Sequence, residues 1–316
     1  MPKAKEKITS IGGQALMEGI MMVGPFKRAA AFCDESGAVT VEEISFTPLT
    51  KKHPILGKPF IRGFFAMVDS LRCGYQALSL SADRVMEDTG EEELSGLDKW
   101  LDEKLGEKGS GIIMSIAGVL GVLLAVLLFF MLPTVLFNLL QNAVGDSIAW
   151  SRSLLEGVLR LLIFLGYLAL IGQMKDIRRL FMYHGAEHKT IFCYEKNLEL
   201  TVENVRRQSR FHPRCGTSFL VLMLVISIVV GFFIPFSNPV LRTLAKLLTI
   251  PIVMGIGYEL LKFTGRHNNL LTRIIAAPGL WVQRLTTKEP AEDSMIEAAI
   301  AAMEAVIPAN GEDLIA

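Results

Sequence analysis

Residues 111–132 have the sequence GIIMSIAGVLGVLLAVLLFFML, and this stretch decides the class of protein. It lies within a longer segment, between Lys108 and Asp146, that contains no ionisable side chain. An α-helix needs about 20 consecutive apolar residues to cross the hydrocarbon core of a bilayer. The stretch therefore predicts a membrane-spanning helix.

Three other segments have a similar composition: residues 154–174, 217–236 and 243–263. The last of them is interrupted by Lys246 and ends near Glu259, so it is either a fourth span or a re-entrant or interfacial segment. We predict a mainly α-helical, polytopic membrane protein with about four transmembrane helices and a small α+β cytoplasmic part.

The composition excludes several other classes. Of the 316 residues, 51% are hydrophobic, and 32 basic side chains balance 32 acidic ones. A net charge of zero argues against binding of nucleic acid through a broad basic surface, so no nucleic-acid partner is expected. The four cysteines form no CxxC pair, which argues against a disulfide scaffold or a zinc ribbon.

The basic residues predict the orientation in the membrane. Residues 175–216 contain nine Lys or Arg, and residues 264–288 contain four with no acid. Because basic connections stay in the cytoplasm, both segments and both termini are expected on that side. The first 20 residues lack the continuous apolar core of a cleavable signal peptide. We therefore predict a multi-pass protein of the cytoplasmic (inner) membrane that has the lipid bilayer as a partner.

The changes in composition divide the chain into seven parts. In order, these are an N-terminal cytoplasmic α+β domain (1–85), a charged linker (86–110), transmembrane helices 1 and 2 (111–174), a basic cytoplasmic loop (175–216), transmembrane helices 3 and 4 (217–263), an interfacial segment (264–288) and a mobile tail (289–316).

Local patterns predict some secondary structure within the polar parts. Residues 27–33 and 38–46 are typical of two strands joined by a turn. Apolar residues at helical intervals over 61–85 predict an amphipathic helix, which packs on the strands or lies on the bilayer surface. The first alternative is favoured because surface helices usually bury their apolar stripe. Residues 190–195 have strand composition, and 201–210 predict a short basic helix.

The strongest chemical motif is the H-x-x-E-H sequence formed by His184, Glu187 and His188. On a helix, residues four apart share a face, so both imidazoles could bind one divalent metal, most plausibly zinc. Glu187 would then act as a general base, as in inverted zincins. The alternative is that these are ordinary surface or structural histidines.

The motif supplies two ligands, whereas catalytic zinc usually has three. His212 and Glu259 are candidates for the third, because His212 lies in the same basic loop and an acid at the end of a membrane helix is costly unless paired or bound. Glu18 is a further candidate, and Cys215 lies three residues after His212. Each also has an ordinary interpretation, as a loop histidine, an ion-pair partner, a surface carboxylate or a small buried thiol.

Two other sequence features do not point to a metal site. Glu156 and Arg160 are spaced to form an ion pair within the second span, or else they belong to a transport path. The glycines at 12 and 13 are not followed by G-K-[ST], so they do not predict a phosphate-binding loop.

Three motifs together resemble one known family. They are GGQALMEGIMMVGP at 12–25, YHGAEHKTIFCYE at 183–195 and HPRCGTSFL at 212–220. They are similar to the bacterial YqhQ-like membrane proteins, a family of unknown function that is labelled as candidate metal-dependent enzymes, and the resemblance extends over about residues 8–285. It implies that the functional residues are His184, Glu187, His188, His212, Cys215, Gln14 and Glu18.

Two functional hypotheses follow. In the first, the chain is a metal-dependent hydrolase at the cytoplasmic face that acts on a lipid-linked or peptide substrate. His184 and His188 bind the ion, His212 or Glu259 completes the site, and Glu187 is the base. In the second, it is a non-catalytic binding or assembly module for other membrane proteins or lipid headgroups, and its metal is structural or absent.

Overall fold

A computed structural model describes residues 7–34, 36–88, 109–267 and 269–315. The protein is mainly helical with one small sheet, as predicted. The strands are β1 (Gly12–Leu16), β2 (Gly19–Val23), β3 (Arg28–Cys33) and β4 (Val39–Glu43). The helices are α1 (Leu49–Lys52), α2 (Ile61–Asp88), α3 (Gly109–Val126), α4 (Leu132–Val144), α5 (Arg152–Ile171), α6 (Lys175–Glu195), α7 (Val202–Arg206), α8 (Gly216–Gly231), α9 (Pro239–Arg266), α10 (Leu270–Thr286) and α11 (Asp293–Val306).

The described residues form two compact units. The sheet unit contains the residues up to Asp88, Tyr167–Met223 and the residues from Pro251 onward. The helical unit contains the residues from α3 to Gly166 and Leu224–Ile250. The N-terminal region and the basic loop thus belong to one α+β unit.

The sheet is an antiparallel meander in the order β1-β2-β3-β4. Strands β3 and β4 confirm the two strands that the sequence predicted. Strands β1 and β2 were not predicted, because their glycines and methionines do not alternate in polarity. Both faces of the sheet are buried: Ile20 and Met22 lie in one apolar cluster, and Met21 lies in the other.

Helices α6 and α11 cover one face of this sheet. The buried residues of α11 include Met295, Ile296, Ala299, Ala302 and Met303, all in the same cluster as Ile20 and Met22. The prediction of a mobile tail over 289–316 is therefore wrong for the residues of this helix. An alanine-rich, acidic sequence is typical of a mobile tail, but small residues also allow a helix to pack closely on a sheet.

Helix α2 covers the other face and confirms the helix predicted over 61–85. It contacts the sheet through small residues, Cys73 and Ala77. Leu71 and Tyr75 of the predicted apolar stripe are instead 65% and 56% exposed. The helix packs on the strands through Cys73, Ala77 and Leu80, and not through Leu71 and Tyr75.

The strand predicted over 190–195 is wrong, because these residues continue α6 to Glu195. Thr190, a residue that favours strands, donates its hydroxyl to the carbonyl oxygen of Ala186 one turn earlier, at 2.9 Å. Burial of Ile191 and Cys193 in the apolar cluster overrides the local preference. The predicted helix over 201–210 is present as the shorter α7, and Thr201 caps it by accepting from the backbone N–H of Asn204.

Among the described residues, three helical segments are long and apolar enough to cross a membrane: Ile116–Val144, Asp146–Ile171 and Pro239–Gly265. The first contains a π-helical turn at Leu127–Met131 just before Pro133, which lacks a backbone N–H and would strain a regular helix. The segment predicted over 243–263 is thus a long helix.

The segment predicted over 217–236 forms only α8, whose 16 residues span about 24 Å. A hydrocarbon core is about 30 Å thick. Arg242 donates to the carbonyl oxygens of Gly231 and Ile234, at 3.4 and 2.6 Å, so the chain past Gly231 is held in a non-helical form. This segment is the least regular of the four predicted spans.

Candidate metal centre

The two histidines of the H-x-x-E-H sequence lie on one side of α6, and their ring centroids are 4.4 Å apart. Cys215 immediately precedes α8, where its carbonyl oxygen accepts from the N–H groups of Ser218 and Phe219. Ligand atoms of His184, His188 and Cys215 all lie within 4.8 Å of one another. The fold therefore brings together three potential ligands from two elements.

The outer hydrogen bonds of the histidines fix the nitrogens that face this cluster. Nδ1 of His184 lies 2.9 Å from the carbonyl oxygen of Thr286, and Nδ1 of His188 lies 2.6 Å from that of Arg210. Because a carbonyl can only accept, each neutral ring carries its proton on Nδ1. Both Nε2 atoms then keep a lone pair, which is how metal-ligating histidines are usually oriented.

The donor set of two imidazoles and one thiol suits zinc. Nε2 of His184 and Sγ of Cys215 are 3.2 Å apart, so without an ion the thiol can donate to this nitrogen. Three protein ligands leave one position of a tetrahedral ion for water or substrate. By its donor chemistry, the cluster fits a divalent zinc ion.

Glu187 lies on the same helix and is only 5% exposed. A Cβ atom at Gly13 of β1 would come within 2.9 Å of the Glu187 carboxyl carbon, so a glycine is needed at this point of the strand. Oε2 of Glu187 is buried and has no hydrogen-bond partner among the described residues. Burial raises the pKa of the Glu187 carboxyl, while the charge of His184 opposes this shift.

His212 lies beside the cluster but is engaged elsewhere. Its Nε2 is 3.4 Å from Oε2 of Glu195, and its ring centroid is 5.6 Å from that of His188. Gln283 of α10 holds its backbone, accepting from the His212 N–H at 2.8 Å and donating to the His212 carbonyl oxygen at 2.7 Å. His212 therefore adjoins the potential ligands without being one of the three.

The other predicted site residues lie in separate contacts. Glu259 accepts two hydrogen bonds from Arg62, at 2.8 and 2.5 Å. Glu18 accepts from Arg179, at 2.6 and 2.7 Å, and from the hydroxyl of Tyr183 at 3.1 Å. Each of these two carboxylates is paired with an arginine, and neither belongs to the group of three potential ligands.

Gln14 lies on the other face of the sheet from Gly13. A Cβ atom at Gly74 of α2 would come within 2.7 Å of the Gln14 side-chain oxygen, so Gln14 packs against α2. The residues that sequence reasoning missed are Gly13, which makes room for Glu187, and Gln283, which holds His212. The only local sign of either residue is the pair of adjacent glycines at 12 and 13. A glycine pair also occurs in phosphate-binding loops, so it does not by itself predict a close contact with Glu187.

The buried His212 predicts a dependence of stability on pH. Burial lowers the pKa of His212 from 6.5 to about 4, so the unfolded chain binds the proton more readily between these values. Stability should therefore fall as the pH falls from 6.5 towards about 4, by about 3 kcal/mol for this group. Thermal midpoints measured across this range should decline less steeply in His212→Gln than in wild type. Equal slopes would contradict the prediction.

The chain has relatives among known proteins. A family model described as "Protein of unknown function (DUF1385)" matches residues 58–309. The "Uncharacterized protein YqhQ" of Bacillus subtilis (strain 168) is 35% identical over 311 residues, which cover 94% of this chain and 92% of that protein. No solved structure matches the chain. The family match and the extent of the identity agree with the resemblance in the three motifs, and the chain belongs to the DUF1385 family of YqhQ-like proteins.

Proposed function

We propose that this protein is a zinc-dependent hydrolase of the cytoplasmic membrane. The observation that carries the proposal is the convergence of His184, His188 and Cys215, with both Nε2 lone pairs available, beside the buried carboxyl of Glu187. The proposed ligand set replaces His212 or Glu259 by Cys215, because the first two are engaged with Glu195 and Arg62.

The chemistry follows from the residues. A zinc ion with three protein ligands would lower the pKa of a water in its fourth position to about 7. Glu187 would take a proton from that water and pass it to the leaving group, and its raised pKa suits a group that must both accept and donate. The carbonyl oxygens of Thr286 and Arg210 would hold the two imidazoles in place.

The location rests on the apolar helices. Three helical segments have the length and composition to cross a bilayer, and α8 would be the fourth span together with the apolar residues after it. Among these, Phe232 and Phe233 are 56% and 83% exposed, as expected for side chains that face lipid. An even number of spans would place both termini in the cytoplasm, on the side of the basic 175–216 segment.

This orientation predicts a labelling pattern. Trp150, between α4 and α5, is 79% exposed, and Arg207 is an exposed residue just after α7. In intact cells, a membrane-impermeant maleimide should label Trp150→Cys and should miss Arg207→Cys. The native cysteines are buried and are replaced by Ala or Ser only if they react. Labelling of Arg207→Cys but not Trp150→Cys would reverse the orientation.

The substrate class is a peptide or a lipid-linked molecule, because the site would lie close to the membrane surface. The basic 175–216 segment would favour an anionic substrate or a lipid headgroup. If the substrate is a peptide, it would be a segment of another membrane protein that lies at the membrane surface.

The proposal is tested by metal content and hydrolysis on the same preparations. Wild-type protein in detergent should contain equimolar zinc, and His184→Ala/His188→Ala should contain none above background. Hydrolysis of a fluorogenic peptide library or of labelled phospholipids should disappear with a chelator, return with zinc and be absent from the double variant. Absence of zinc from carefully prepared wild type, or equal zinc in both proteins, would refute the metal site.

Spectroscopy can identify the third ligand. In cobalt-substituted protein, a thiolate ligand gives a charge-transfer band that should be lost in Cys215→Ser and kept in His212→Gln. Absence of this band from wild-type protein, with cobalt d–d bands that change in His212→Gln but not in Cys215→Ser, would assign the third position to His212.

Burial of the cluster favours a second candidate. His188 is 1% exposed and Cys215 is 8% exposed, as is common for structural ions. In that case the protein is a non-catalytic assembly module for membrane proteins. Zinc would then be bound and would stabilise the fold, but no hydrolysis would depend on Glu187.

A further inference from the structure

The helical unit buries a group of ionisable side chains among its apolar helices. Glu156 and Arg160 of α5 are 1% and 8% exposed, and Arg242 and Lys246 of α9 are 1% and 7% exposed. Arg152, one turn before Glu156, has a side chain that is 14% exposed. This polar cluster therefore combines four cationic residues with one carboxylate, and buried charge of one sign is costly unless a counter-charge is present.

The ion pair predicted between Glu156 and Arg160 is wrong. Oε2 of Glu156 instead accepts from Lys246 at 2.6 Å and from Arg242 at 2.9 Å, and Arg152 lies 3.7 Å from Oε1. The carboxylate is thus directed towards three other cations, which leaves Arg160 without its expected partner.

The guanidinium of Arg242 has a structural role. It donates to the carbonyl oxygens of Gly231, the last residue of α8, and of Ile234 and Phe236, which lie after this helix. Lys246 donates its second hydrogen bond to Thr134 at 3.0 Å. These two cations are explained by the packing of the helices that they join.

Arg152 is also explained, because it donates to the side-chain oxygens of Asn138 and Gln141 at 2.8 and 2.6 Å. Arg160 is different. Its guanidinium donates to Oγ of Ser227 at 2.8 Å and lies 5.1 Å from the ring centroid of Phe130. Among the described residues, no carboxylate lies within salt-bridge distance of Arg160, and its Nε is buried without a hydrogen-bond partner.

Two other buried polar atoms of the polar cluster lack a hydrogen-bond partner among the described residues: Oγ1 of Thr243 and Oε1 of Glu156, which Arg152 approaches only to 3.7 Å. Thr243 is next to Arg242 and one turn before Lys246, and Glu156 is one turn before Arg160. A native fold rarely buries such atoms unless a water, an ion or a ligand satisfies them. The excess of positive charge over the one carboxylate, and the three atoms without a hydrogen bond, point to a ligand in the same part of the helical unit.

We propose that the polar cluster binds a phosphate group. Arg160 would donate to a phosphate oxygen, since guanidinium groups match the geometry of phosphate, and Thr243 would donate to a second oxygen. The unsatisfied Oε1 of Glu156 would accept from a protonated oxygen of a free phosphate anion, or from a glycerol hydroxyl group beside the phosphodiester of phosphatidylglycerol. A chloride ion or a carboxylate would leave that acceptor unsatisfied.

The site lies inside the helical unit, about 10 to 12 Å from the nearer ends of α5 and α9, and Arg160 is close to the middle of α5. Arg160 is about 12 Å along α5 from Arg152, and Lys246 is about 10 Å along α9 from its first residue, Pro239. A ligand would enter beside the turns around Gly145 and residues 232–238, which adjoin these ends. The phosphate group would be either a free anion or the headgroup of an anionic lipid. This proposal is independent of the metal centre.

The test uses the full chain in lipid nanodiscs. One arm contains only phosphatidylcholine and is titrated with inorganic phosphate against chloride at equal ionic strength. The other contains phosphatidylglycerol without added phosphate and is examined by native mass spectrometry for retained lipid. Binding in the first arm identifies a free anion, and retention in the second identifies a headgroup.

In the arm where wild type binds, Arg160→Gln should weaken binding about tenfold to hundredfold, because it removes a charge-assisted hydrogen bond. Thr243→Ala keeps all charges and should weaken binding about twofold to tenfold, so it serves if Arg160→Gln does not fold. Arg207→Gln, an exposed arginine of the other unit, should bind as wild type does. No binding in either arm, or unchanged binding in the variant of Arg160 or Thr243 that folds, would overturn the proposal.

Discussion

Replacing Glu187 by Gln should abolish hydrolysis while leaving the zinc content unchanged. The carboxyl is buried beside His184 but is not one of the three potential ligands. Gln has almost the same shape and cannot accept a proton. General base catalysis contributes about 10²–10⁴-fold, so the rate of the zinc-loaded protein should fall by that factor. The measurement is the initial rate on the substrate identified in the library, together with the zinc content of each preparation.

The pH profile makes this prediction more specific. Burial raises the pKa of Glu187, and a base works only when it is deprotonated. The wild-type rate should therefore fall as the pH decreases through this raised pKa, and Glu187→Gln should lose that acidic limb along with the rate. Glu297→Gln, on the exposed side of α11, is a matched control and should keep both. A Glu187→Gln protein with the wild-type rate and full zinc would mean that Glu187 is not the base, whereas wild-type protein that binds zinc but hydrolyses nothing would favour the non-catalytic assembly module.

The same substitution separates catalysis from stability. In metal-free protein, the raised pKa means that the folded state disfavours the ionised carboxyl, so stability increases as the pH falls through that pKa. Glu187→Gln should therefore raise the thermal midpoint of metal-free protein, and more at alkaline than at acidic pH. A variant that is more stable and yet inactive cannot have lost activity through unfolding.

The local part of the candidate metal centre could be predicted from the sequence, because helix geometry alone puts His184 and His188 on one face. The third potential ligand could not. His212 and Cys215 are three residues apart and equally plausible by spacing. Only long-range contacts distinguish the two residues. The imidazole of His212 contacts the carboxylate of Glu195, and the side chain of Gln283 is hydrogen-bonded to the His212 backbone. None of these contacts leaves a local pattern.

The long apolar helices were predictable for the same reason, since hydropathy is a local property. Their ends and partners were not. Arg242 lies in the sequence as an ordinary charge near the start of a weak span, but in the structure it holds the chain after Gly231 out of a helix and pairs with Glu156. The N-terminal strands were missed because both faces of their sheet are buried, so that Ile20, Met21 and Met22 follow one another without alternation.

Deleting the residues after Pro290 should prevent the sheet unit from folding. The deletion removes α11, whose buried side chains include Met295, Ile296, Met303 and Val306. Burial of each large apolar side chain stabilises a fold by about 1.5–3 kcal/mol, so these four contribute about 6–12 kcal/mol. Whole domains are stable by only about 5–15 kcal/mol. The loss is therefore comparable to the entire stability of the unit.

The deletion should also disrupt the metal centre at a distance. Tyr183 and Ala186, which flank His184 on α6, are buried in the same apolar cluster as α11. Truncated protein should therefore lose zinc as well as a cooperative thermal transition, and limited proteolysis should cut it within the sheet unit. A truncated chain with the wild-type midpoint and zinc content would mean that α11 does not stabilise the unit.

Point substitutions distinguish packing from mere shortening of the chain. Ile296→Ala should cost about 2–5 kcal/mol, because it leaves a cavity in a fully buried cluster. Glu297→Ala, at the next position but exposed, should change stability by no more than about 0.5 kcal/mol. The helix is continuous through both positions, so a difference in chemical denaturation between the two variants isolates burial against the sheet. Equal effects of the two substitutions would mean that burial of Ile296 does not stabilise the sheet unit. The apolar cluster shared by α11 and α6 would then not explain why the candidate metal centre depends on α11.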